Sequence, residues 1–327
     1  MDYKNKEKLK RLRDTFDKNY KFRKLLAAYL EYAPDAITKQ TVEMLCQDGE
    51  IELPDALSAL VSSVLGLDFD NGEDRYLIKN HLNPSIRILD AEKYYNDKYY
   101  KNVKIPQTKD GSWELKSETY PAFRAVICDD LICLEDFTEI APLGFFTEDF
   151  HFPAVLEGGN EWMTLTPVDM DTCTEAIEKA HGKVVTFGLG LGYYAYMVSE
   201  KECVNEICIV ERSDEVIRLF EKYILPQFTH KEKVKIVKSD AFEYAKNIMP
   251  AESFDYAFVD IWRDGSDGVV MYKRMKPYES LSPSTEFSYW IEGFIKSRVR
   301  CERFEDAWTK LENGEEVSYD ELKRSLI

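Results

Sequence analysis

The feature that most constrains this chain is the run Lys183-Val184-Val185-Thr186-Phe187-Gly188-Leu189-Gly190-Leu191-Gly192, followed by the helix-like Tyr193-Tyr194-Ala195-Tyr196-Met197-Val198. An apolar strand, a glycine loop and a helix in that order make the opening of an α/β winding. The glycines permit both a tight turn and the close approach of a ligand to backbone N–H groups at the helix start. Alone, the pattern is weak, because any strand-to-helix turn favours glycine.

Two acids strengthen it. Ile207-Cys208-Ile209-Val210-Glu211 ends the next strand with a carboxylate 21 residues beyond Gly190, where a ribose diol can donate to it. Val237-Lys238-Ser239-Asp240-Ala241-Phe242 ends the third strand at Asp240, placed either to receive an adenine amino group or to cap a helix over 241–248. Strands are expected at 183–187, 204–210, 233–238 and 254–260, each followed by a helical pattern. That is βαβ winding, whose ligands gather at the carboxyl ends of the strands. In the dinucleotide pattern the third glycine falls three residues after the second, but this chain has Tyr193 there and glycine at 192. NAD is therefore disfavoured.

The G-x-G-x-G spacing with Glu211 and Asp240 resembles the class I S-adenosylmethionine-dependent methyltransferases. Val210-Glu211-Arg212-Ser213-Asp214-Glu215, Asp240-Ala241-Phe242-Glu243 and Phe254-Asp255-Tyr256-Ala257-Phe258-Val259-Asp260 narrow the likeness to the spermidine-synthase-like branch. The resemblance implies S-adenosylmethionine as cofactor, with Gly188, Gly190, Gly192, Tyr193, Glu211, Arg212, Asp240 and Ala241 around it. It also implies a catalytic role for Asp260, the position at which that branch keeps a proton-accepting carboxylate. Trp262 would wall the acceptor pocket, and Glu161 and Trp162 would reach it from the preceding segment. The branch's Tyr-His-Glu segment and its Asp-Ser-Ser-Asp-Pro-like loop are replaced here by Asn160-Glu161-Trp162-Met163 and Asp260-Ile261-Trp262-Arg263-Asp264. The broader reading is thus methyl transfer to an unidentified, small-molecule acceptor by direct displacement. An aminopropyltransferase and a non-catalytic adenosylmethionine-binding protein are the alternatives.

The expected fold is α/β, a Rossmann-like class I methyltransferase sheet with an N-terminal helical region over 1–102, a small β-rich segment over 103–166 and the nucleotide domain over 167–327. Helical spacing is expected in 24–32, 37–46, 53–65 and 74–95, and a β-hairpin over 122–134 turning at Asp129-Asp130. Residues 265–327 read as helix throughout, which predicts a sheet truncated after its fourth strand or completed by strands from 103–166. A helix is expected from Pro167 to about Ala180.

Charge separates partners. The formal net charge is −17, yet residues 1–24 hold ten Lys/Arg against four Asp/Glu. An acidic body disfavours nucleic acid. The basic first helix carries Leu9, Leu12, Phe16, Tyr20 and Leu26 at helical spacing, as a docking helix would, so a homo-oligomer through the N-terminal helices is expected. No membrane span and no secretory apolar core are visible, which points to the cytoplasm. Seven cysteines without a C-x-x-C pair and four scattered histidines suggest no metal site.

Overall fold

A computed structural model describes residues 3–47 and 49–326. The chain forms two compact units, both discontinuous: 1–89 with 121–149 and 293–327, and 90–120 with 150–292. The sequence reading placed its boundaries at 102/103 and 166/167 instead. Local texture cannot show where a chain leaves a unit and returns, because the returning partners are far apart in sequence. Among the described residues no helix is long and apolar enough to cross a membrane.

In the first unit the helix Tyr3–Tyr32 runs beside Lys39–Cys46, Leu53–Val64 and Gly72–Leu77, with Glu292–Glu312 and Tyr319–Leu326 closing the unit. The apolar stripe of the first helix is used internally. Leu9, Leu12 and Phe16 pack with Phe137, Phe304, Leu322 and Leu326, and Leu26 joins a second core around Leu57, Val61 and Leu82. Tyr20 is 56% exposed. A buried ionic cluster lies nearby: Glu139, 7% exposed, sits 3.8 Å from the Arg23 Nη1 and 3.6 Å from the Arg300 Nη2.

Two expectations fail in this unit. The span 74–95 is not helical throughout: the helical run ends at Ser85, one residue after Pro84, and Ile86–Leu89 pairs in parallel with Leu143–Phe146. Asp129-Asp130 does not turn a hairpin. Val126–Ile127 pairs with Leu143–Phe146, and Ile132–Cys133 pairs with Glu139–Ile140. Asp130 instead accepts bonds from the Gly293 and Phe294 N–H groups at 2.6 and 2.9 Å, capping the helix that starts at Glu292.

The second unit holds an antiparallel sheet of Thr108–Asp110, Trp113–Tyr120, Phe150–Glu157 and Asn160–Thr164, and the nucleotide half. Its elements are α1 (Pro167–Asp171), β1 (Gly182–Phe187), α2 (Tyr193–Ser199), β2 (Val204–Glu211), α3 (Asp214–Leu219), β3 (Val234–Lys238), α4 (Ala241–Asn247), β4 (Tyr256–Val259), α5 (Gly265–Met275) and β5 (Glu286–Tyr289). The sheet order is β3-β2-β1-β4-β5, with every pair parallel. This is a doubly wound, Rossmann-like parallel sheet, and its order reverses between β1 and β4. Val184, Val185 and Phe187 on β1, with Ile207, Ile209, Ala257 and Val259, are essentially unexposed, as strands covered on both faces must be.

β5 corrects the reading of 265–327 as all helix and of a sheet ending at its fourth strand. Glu286-Phe287-Ser288-Tyr289 is only four residues long and adjoins Trp290-Ile291, so its signal merges with a helical one. The segments between 103 and 166 do not complete the parallel sheet. They pair antiparallel among themselves. The helix expected from Pro167 to Ala180 is also broken, into α1 and Thr174–Lys179.

Candidate functional site

All five parallel strands deliver their carboxyl ends to one cavity of about 770 Å³, within the range of small-ligand pockets. Its wall includes Gly188 after β1, Glu211 ending β2, Asp240 after β3, Asp260 after β4 and Trp290 after β5. All twelve residues singled out from the sequence line it: Glu161, Trp162, Gly188, Gly190, Gly192, Tyr193, Glu211, Arg212, Asp240, Ala241, Asp260 and Trp262.

The glycine loop is fixed by its neighbours. Gly188 has φ +95°, and a Cβ there would stand 1.9 Å from the Asp260 carbonyl oxygen. The loops after β1 and β4 thus touch at the switch point, and only glycine permits it. Gly192 has φ +76°, with the Phe220 ring 2.4 Å from where its Cβ would be. The Tyr99 hydroxyl donates to the Leu191 carbonyl and holds the loop from below.

Glu211 ties the loop to β2. Its Oε2 accepts from the Leu189 N–H at 3.2 Å, and its Oε1 accepts from the N–H groups of Arg212 and Ser213, both at 2.8 Å. Oε1 is thereby filled, whereas Oε2 keeps a second lone pair, so these bonds leave acceptor capacity for one hydroxyl of a diol. Asp240 caps α4: its Oδ1 accepts from Phe242 N–H at 2.9 Å and Glu243 N–H at 3.1 Å. Its Oδ2 has no donor among the described residues. Capping and ligand binding are therefore compatible at this side chain. Ala241 opens α4 with only a methyl group on the wall, and Phe242 beside it is backed by the Arg274 guanidinium 3.8 Å from its ring centre.

Tyr193 stands edge-on to Tyr99, with ring centres 5.6 Å apart, and its hydroxyl donates to Asp97 at 3.5 Å. Trp162 is 38% exposed, edge-on to Trp113 at 5.3 Å, and Glu161 beside it is exposed. Trp262 is 5% exposed and lies parallel to Tyr289 at 6.4 Å. Its Nε1 is buried without a hydrogen-bond partner. A buried donor left unpaired costs stability, so its persistence at a cavity wall marks a place where a ligand can accept.

Asp260 is the most perturbed acid of the site. Burial, and then the nearby Asp169, push its carboxyl up to about 8. No donor among the described residues reaches its carboxylate.

Sequence reasoning missed Asp169, Cys173 and Trp290, all on the cavity wall. The Thr166-x-x-Asp169 spacing is legible only as a helix start. Trp290 reads as part of a helical stripe; the backbone turns sharply just after it, at Ile291 with φ +45°, and its Nε1 donates to the Thr172 Oγ1 at 2.9 Å.

No model of a known protein family matches the chain, and no curated protein matches it. Solved structures similar to parts of it include a spermidine synthase from Thermotoga maritima, at 16% identity and a TM-score of 0.31, covering 46% of this chain and 58% of that one. A precorrin 8W decarboxylase of Methanobacterium thermoautotrophicum matches at 19% identity and a TM-score of 0.25, covering 33% and 53%. The human methyltransferase 10 domain containing protein matches at 13% and 0.28, covering 39% and 66%. The chain thus spans little more than half the length of the first two. Likenesses this distant leave the chemistry to be read from the site itself.

Proposed function

We propose that this cavity binds S-adenosylmethionine and that the protein transfers its methyl group to a small, cationic amine. The observation that carries this reading is the lining. Glu211 ends β2 and Asp240 follows β3, where ribose and adenine recognition belong in this winding. Beyond them the wall is rich in acids, with Glu161, Asp169, Asp260, Asp264 and Asp267, while its two arginines, Arg212 and Arg263, are exposed. An interior of that sign attracts cations and repels phosphate.

The residues fit the cofactor. Gly188 and Gly190 offer a wall without side chains, the Oε2 of Glu211 has a spare lone pair for a ribose hydroxyl, and the free Oδ2 of Asp240 suits the adenine amino group. When bound, the cofactor supplies an electrophilic methyl carbon attached to a sulfonium. The chain's part is to place the acceptor nitrogen in line with that carbon and to take one proton from it, which frees the lone pair to form the new C–N bond. Asp260 is placed for that proton. Its raised affinity keeps it protonated in the empty site near neutral pH, and an arriving cation favours its ionised form, so binding itself generates the base.

Titration calorimetry with S-adenosylhomocysteine tests the binding half. Micromolar-class affinity is expected, lost in Glu211→Ala; binding unchanged by that substitution would refute the site. Formation of methylthioadenosine from decarboxylated adenosylmethionine and putrescine would replace methyl by aminopropyl transfer. No transfer of labelled methyl to any amine tested would favour a binding protein without catalysis.

A further inference from the structure

The acceptor end of the cavity contains a second carboxyl whose bonding is uneven. Asp169, on α1, receives three hydrogen bonds, all at Oδ2: from Thr166 N–H at 2.7 Å, Thr166 Oγ1 at 2.8 Å and Thr164 Oγ1 at 3.5 Å. Its Oδ1 has no donor among the described residues. Capping a helix start explains Oδ2 and leaves Oδ1 unexplained. The wall that carries it is joined to β5's end by the hydrogen bond from Trp290 to Thr172, one residue beyond α1. The same wall includes Trp262, whose buried indole N–H also lacks a protein partner. We propose that Asp169 is the acceptor-binding carboxylate of this cavity, its Oδ1 holding the protonated nitrogen of a small amine while Asp260 receives the proton that the nitrogen gives up.

The assignment rests on the methyl-transfer reading above and adds to it a residue for orientation. Removing one proton from an ammonium leaves two N–H bonds on a primary amine, and one carboxylate cannot both take the proton and keep the nitrogen aligned. A second carboxylate can hold a remaining N–H. The titratable groups acting on this part of the wall are Glu161 beside Asp169, Tyr100, Cys173 and Asp260. All are acidic or neutral. Burial, with Glu161 adding to it, pushes Asp169 up to about 6, so near neutral pH it is the more readily ionised of the two acids. Cys173 is fully enclosed, and burial with both aspartates raises its thiol well above the ordinary range, which makes it wall and not nucleophile.

The test uses full-length protein, n-butylamine and 1-butanol as probes, and carboxyl-13C aspartate. Wild type is expected to bind the amine at least tenfold tighter than the alcohol in calorimetry with S-adenosylhomocysteine present. Asp169→Asn, which retains an acceptor for the Thr166 amide, should cut that preference several-fold, the remainder coming from Asp260 and the other acids of the wall. In the 13C titration the Asp260 midpoint should fall by about one unit in Asp169→Asn, since a neighbouring negative charge is gone. Thr166→Val breaks the cap without removing the charge, and should lower Tm while keeping the amine preference. Should the amide variant fail to fold, Asp169→Ser takes its place. An amine preference unchanged without Asp169, absent from wild type, or cut equally in Thr166→Val would overturn the proposal, as would an unmoved Asp260 midpoint. The same calorimetry repeated without S-adenosylhomocysteine, like the titration, needs no cofactor, so failure of S-adenosylhomocysteine to bind would sink the methyl-transfer reading while the amine preference and its fall in Asp169→Asn still decide Asp169.

Discussion

Replacing Asp260 by Asn should stabilise the ligand-free protein, by an amount that grows with pH. The carboxyl is pushed from 3.8 up to about 8, by burial first and Asp169 second. Between those two values the folded protein retains a proton that the unfolded chain has released. Folding therefore weakens as pH rises through this window; the penalty is absent below about pH 4 and complete above about pH 8. At about 1.4 kcal/mol per unit, the roughly three units between 3.8 and pH 7 set a ceiling of about 4 kcal/mol. Asp260 is partly exposed at the cavity wall, and solvent screening reduces the expected difference to about 2 kcal/mol. For a folding unit of this size that is roughly a 4–8 °C rise in Tm. Urea denaturation of wild type and Asp260→Asn from pH 4 to 8.5 measures it: the curves should converge at the acidic end and separate steadily above pH 5. A variant no more stable than wild type at pH 8, or a gap that closes as pH rises, would show that Asp260 is not held in a dry, acid-rich wall. Methyl transfer, if present in wild type, should be lost in the same variant while S-adenosylhomocysteine still binds.

Gly188→Ala should lower Tm sharply and abolish nucleoside binding, since φ +95° and a Cβ 1.9 Å from the Asp260 carbonyl oxygen force the two loops apart. Gly72→Ala, with nothing within 4 Å, should change stability by no more than about 0.5 kcal/mol, and equal losses in the two would refute the steric argument. Glu139→Gln should cost about 3–5 kcal/mol in urea unfolding, because it leaves Arg23 and the 9%-exposed Arg300 without their carboxylate; a loss under about 1 kcal/mol would mean that water already solvates those guanidinium groups.

The amino-acid sequence by itself determined the parts of this protein written in local chemistry. Gly188, Gly190 and Gly192 answer to backbone conformation, and Glu211, Asp240 and Asp260 follow apolar runs whose lengths fix them at strand ends. Winding then brings those ends to one edge, so their meeting in a single cavity was legible. Tertiary structure alone decided the rest. β5 is four residues that become a strand because β4 offers an edge, and a period of two cannot be distinguished over so short a run. The first helix's stripe of Leu9, Leu12 and Phe16 looked like a docking face and is covered by Phe304 and Leu322, some three hundred residues away. Asp169 shows the division within one side chain. Its helix-start spacing is local and its Oδ2 obeys it, whereas the free Oδ1 and the company of Asp260 and Trp290 arise from segments about 90 to 120 residues downstream. Capping is a property of neighbours in sequence; a binding wall is a property of neighbours in space.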